Sequence, residues 1–67
     1  MKSGWQRIFY TNQLHYIEII RAALKDQDIE SVAVDKRDSS LYIGDIEIFV
    51  PEQDAILAKI IIEQLGL

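Results

Sequence analysis

The sequence predicts an α+β fold, ferredoxin-like but lacking the last strand, with elements in the order β-α-β-β-α. Three observations lead there. WQRIFYT and IEIFV alternate with the period of two that a two-faced strand requires. Residues 13–27 and 52–65 repeat apolar side chains at steps of three and four, the period of a helix with one buried face. A right-handed crossover from strand one to strand two, with strand three inserted antiparallel between them, then yields a three-stranded antiparallel sheet of order 1-3-2 with two helices on one face.

Strand one is WQRIFYT, with Ile8 and Tyr10 assigned to one face and Trp5, Arg7, Phe9 and Thr11 to the other. Thr11 and Asn12 can accept from the free amides of a helix start. Helix one then runs from Gln13 to Gln27 on the spacing of Leu14, Ile17, Ile20 and Leu24. After DQD, a strand of about five residues in IESVAVD is read with Ile29 entering it and Val32 and Val34 turned inward. Strand three carries Ile46, Ile48 and Val50 in phase. Leu41 and Ile43 have the opposite parity, so a phase shift is expected at Gly44 and Asp45, where glycine tolerates a bulge or bend, and a hairpin tip near Asp38 to Ser40. Pro51, Glu52 and Asp54 suit the start of helix two, which ends at Leu65 before Gly66. The expected helix-side core is Ile8, Tyr10, Leu14, Ile17, Ile20, Leu24, Val32, Val34, Ile46, Ile48, Val50, Ala55, Ala58, Ile62 and Leu65. Strand one is left as an open edge, and the far sheet face is uncovered.

Residues 1–67 are read as a single domain. With no cysteine there is neither a disulfide staple nor a thiolate metal site, which fits a reducing cytoplasm. The start MKSGWQRIF reaches Arg7 before any apolar run, and no run approaches the roughly 20 residues of a spanning helix, so neither export nor a membrane partner is expected. A net charge of -4 disfavours nucleic acid.

Several constellations have residue types that could carry chemistry. Lys36, Arg37, Ser39 and Ser40 offer donors to an anion, while Asp35 and Asp38 oppose one; a solvated hairpin tip is the plainer reading of DKRDSS. DQDIE begins like a calcium loop, but Ser31 stands where that loop needs glycine and Arg37 where it needs glutamate. His15 is the one histidine and makes no metal site alone. The hydroxyls of Ser3, Thr11, Ser31, Ser39 and Ser40 have no sequence context that places a base beside them. No catalytic, cofactor or metal residues are assigned. Phe9 and Phe49, with Arg7 and Glu47, are read as a cross-strand group on the uncovered face and a candidate interface; the RNA-recognition parallel fails on charge and motif. Ile56 and Ile60 form a second apolar stripe on helix two, too far round to face the same sheet as the first.

YTNQLHYIEIIRAALKDQDIESVAVDKRDSS followed by GDIEIFVPEQDAILAKIII resembles the prokaryotic signal-transducing protein family, formerly only a domain of unknown function (2007). The matching positions are Tyr10, Thr11, Glu18, Ile19, Leu24, Ile29, Lys36 to Ser40, Gly44, Ile46, Val50, Asp54 and Ala58. The resemblance implies a bacterial cytosolic module with a fold similar to PII-type signalling proteins. The chain has no counterpart of the long PII partner loop or of the PII nucleotide-binding residues, so it implies neither ATP nor 2-oxoglutarate binding.

The leading expectation is a small non-enzymatic regulatory or protein-interaction module. It would self-associate or dock through the open sheet face, the strand-one edge or the 36–40 loop. The alternative is a small-ligand sensor, for an anion or a nucleotide, in which Thr11, Asn12 and the start of helix one hold the ligand with Lys36 or Arg37. An enzyme would need a pocket gathering His15 with carboxylates.

Overall fold

Alternating apolar residues give the chain three strands, and the computed structural model, which describes residues 4–37 and 44–67, pairs them as expected. β1 (Trp5–Thr11), β2 (Val32–Asp35) and β3 (Ile46–Pro51) form an antiparallel sheet of order β1-β3-β2. α1 (Leu14–Asp26) and α2 (Ala55–Leu65) pack on one side of it, α2 entered through a 3₁₀ turn at Glu52–Asp54. Their Ile17, Ile20, Leu24, Ala55 and Ala58 join Ile46, Ile48 and Val50 in one buried cluster.

Helix ends follow local chemistry. The Thr11 hydroxyl accepts the Gln13 amide at 3.1 Å, which turns the chain out of β1 and into α1. At the far end Asp28 takes φ +60°, its amide donates to the Lys25 carbonyl, and the Ile29 amide donates to the Leu24 carbonyl. That double bond pattern brings the residue after the left-handed one back onto the last turn. Ile29 is thereby buried against Leu24, a core residue that strand periodicity alone did not reveal. Gly66, at φ +73°, ends α2 as expected.

Two faces differ from the sequence expectation, and each has a cause in strand pairing. In β1, Arg7 pairs with Phe49 but Phe9 pairs with Ile48, so Ile8 is the extra residue of a bulge. Beyond it every side chain changes face. Phe9 lies opposite buried Ile48 and packs against the core, not on the uncovered face, while Tyr10, expected inside, is 58% exposed. In β2, Ala33 pairs with Ile48, so Ala33 points to the helices and Val32 and Val34 lie on the bare side, exposed. β2 also starts only at Val32, because Ile29 belongs to the helix exit. Leu14 is exposed as well, since the buried stripe of α1 begins one turn later at Ile17.

The register has a measurable consequence. Phe9→Ala is expected to cost about 2 kcal/mol in urea unfolding, because a ring packed on the core is removed. Val34→Ala on the bare face should stay within about 0.5 kcal/mol. Equal effects would contradict the bulge.

Gly44 precedes β3 with φ +100°, and Ile46, Ile48 and Val50 then point inward together. The expected irregularity at Gly44 is therefore present. The expected hairpin tip at Asp38 to Ser40, together with Leu41 and Ile43, lies outside the described residues.

Candidate functional site

Parity on β3 defines the bare face of the sheet. Glu47, Phe49 and Pro51 point away from the helices, and their cross-strand partners extend that surface on both sides. Phe49 lies between Arg7 and Val32, Glu47 between Tyr10 and Val34, and Pro51 beside Trp5. The apolar and aromatic residues enclose a charged centre.

That centre is Glu47. Arg7 donates to its Oε2 at 3.0 Å from β1, and Lys36 reaches its Oε1 at 3.1 Å from the end of β2. The carboxylate is 13% exposed while its two partners are half exposed, so the anion is covered and the cations reach solvent. The Arg7 guanidinium also lies 5.2 Å from the Tyr10 ring centroid, within cation–π range. Lys36, then Arg7, hydrogen-bond the ionised Glu47 and hold its carboxyl below the usual range, although desolvation works the other way.

A folded-state pKa lower than the unfolded one stabilises the fold above the unfolded pKa, and that contribution disappears as pH falls through the folded value. Acid unfolding should therefore steepen below about pH 4. Glu47→Gln is expected to flatten that part of the stability profile while leaving the shape at neutral pH unchanged. An unaltered acid limb would show that the Arg7–Glu47–Lys36 chain carries no linkage.

The other candidate residues are placed as follows. Arg37 is folded back on Asp35 through its Nε and Nη2 at 3.1 and 2.9 Å, and its amide donates to the same carboxylate at 3.0 Å. This pairing, chiefly the side-chain hydrogen bond, lowers the Asp35 pKa. Lys36 and Arg37 are thus both engaged by acids of the chain itself. Thr11 pairs with Ile46 on one side of β3 and Asp35 pairs with it on the other, so the start of α1 and the basic pair stand two strand spacings apart, about 10 Å. Thr11 spends its hydroxyl on Gln13, Asn12 is exposed, and Ser39 and Ser40 lie outside the described residues. Among the described residues, Thr11 and Asn12 are not brought beside Lys36 and Arg37.

Nor does the structure gather a nucleophile and a base among the described residues. The Ser31 hydroxyl accepts Arg21 Nε at 3.2 Å, and His15 stacks on Tyr16 with ring centroids 4.2 Å apart. Of the candidate interface residues, Arg7, Glu47 and Phe49 share the bare face, Phe9 does not, and Ile56 and Ile60 are exposed on the helix layer. Sequence reasoning put Trp5 on that face with Arg7 without making it a candidate, and missed Tyr10, Val32 and Val34 there. Tyr10 could have been found only by locating the bulge, and the valines only by the register of β2.

No helix among the described residues is long and apolar enough to cross a membrane. A search of curated proteins finds no match. Residues 5–66, all of the sheet and both helices, match the family described as "Putative prokaryotic signal transducing protein", and the chain belongs to that family.

Proposed function

We propose that the chain is a non-enzymatic regulatory module that works by protein contact through the bare face of its sheet. The family description fits a signalling role. The observation that carries the choice of surface is the row Arg7–Phe49–Val32 beside Tyr10–Glu47–Val34, an apolar and aromatic surface around one neutralised charge. Aromatic and arginine side chains of this kind anchor protein interfaces, and a covered ion pair sets register. The compartment proposed for this module is the cytoplasm, consistent with a chain free of cysteine.

A photo-crosslinking residue introduced at Val34 in cells that carry the protein tests the reading. Covalent adducts at Val34, absent from the same probe at exposed Glu18 on α1, are the expected result. No adduct at Val34, or equal labelling at both positions, would discard the sheet face as the contact surface.

A further inference from the structure

We infer that the occupant of the bare sheet face is a second copy of this chain, related by a two-fold axis and packed sheet to sheet. The inference rests on the proposed reading of that face and adds the identity of the partner. Three observations support it.

First, the charges of this acidic chain are unevenly placed. Residues 13–30 and 52–65, the helices and their connections, hold seven acids against three bases. On the bare face Arg7 and Lys36 balance Glu47 and the in-phase Asp45. Two copies of a chain of net charge -4 can approach through this face without setting acid against acid. The competing apolar surface, Ile56 with Leu57 and Ile60, belongs to the acid-rich layer.

Second, the shape suits face-to-face stacking. The Cα envelope is 35 by 30 by 15 Å, a thin slab, and a sheet with helices on one side alone leaves its other side bare. Two such sheets packed about 10 Å apart would make a four-layer body with a second apolar core.

Third, β2 turns its larger apolar residues the wrong way for a solitary domain. Ala33 faces the helices, and Val32 and Val34 face out on the same side as Phe49. With no disulfide available, that outward apolar surface is a means of stapling a core that counts nine buried residues among those described.

Light scattering on the purified chain from micromolar to millimolar concentration should give twice the 7.7 kDa chain mass. Val32→Lys with Val34→Lys, on exposed edge-strand sites that spare the fold as checked by circular dichroism, should weaken the dimer at least about a hundred-fold. Ile60→Lys should leave it intact. Trp5, the one tryptophan, gives a readout on the unmutated protein: its emission should move to the red on dilution as the face is wetted. A wild-type monomer at millimolar concentration, or a dimer broken by Ile60→Lys and not by the valine pair, overturns the inference. The proposed contact surface fails separately, when the probe at Val34 captures nothing. Adducts at Val34 containing only other proteins would leave that surface standing and remove the second copy.

Discussion

Gly44→Ala is expected to destabilise the fold by about 3 kcal/mol, one of the two largest single-residue effects in this chain. Two independent penalties combine. The residue sits at φ +100°, a conformation that side chains with a Cβ rarely adopt, and a Cβ there would lie 2.5 Å from the Lys36 carbonyl oxygen. That oxygen belongs to backbone, so it cannot rotate aside. The neighbouring Lys36 amide donates to the Asp45 carbonyl at 2.9 Å, which ties β2 to β3 at the same point. Relief of the clash would therefore pull the two strands apart. Against the roughly 5 kcal/mol available to a domain of this size, the variant would be close to unfolding at 37 °C. Urea titration with an unchanged slope would report the loss. A shift under about 0.5 kcal/mol would mean that Gly44 is not held in this conformation.

Ile48→Ala should cost about 3 to 4 kcal/mol. Ile48 is fully buried on the central strand, flanked by Phe9 on β1 and Ala33 on β2. Truncation leaves a cavity that small Ala33, Ala55 and Ala58 cannot fill. Ile48→Val, which removes one methylene, should cost about 1 kcal/mol. If Ile48→Ala were no worse than Val34→Ala, the assignment of faces on β3 would be reversed.

Much of the fold was legible because its signals are local. The step-of-three-and-four spacing of Ile17, Ile20 and Leu24 places α1 and its buried stripe together. Gly44 could be singled out from parity alone, since Ile43 and Ile46 cannot share a face of one regular strand. The candidate site was only half legible. Alternation assigns Arg7, Glu47 and Phe49 to the right face, yet it groups Phe9 with them and turns Tyr10 into the core. Nothing local marks Ile8 as an extra residue: IFY alternates as well with a bulge as without one. Lys36 is visible as a cation in a loop, but its partner Glu47 is eleven residues away and is reached only through the pairing of β2 with β3.

By itself, the sequence determined the order of elements, the sheet order, the inward phase of Ile46, Ile48 and Val50, and the glycine stops at 44 and 66. These follow from periodicity, chain sterics and crossover handedness, all carried by neighbouring residues. Only the tertiary structure decided that Phe9 supports the core, that Tyr10, Val32 and Val34 join the bare face, and that Arg7 and Lys36 meet on Glu47. A strand's face is set by which residue of another strand it pairs with, and a slip of one residue turns every side chain over. That choice is made by contacts between segments distant in the chain, and it settles which residues are free to meet a partner.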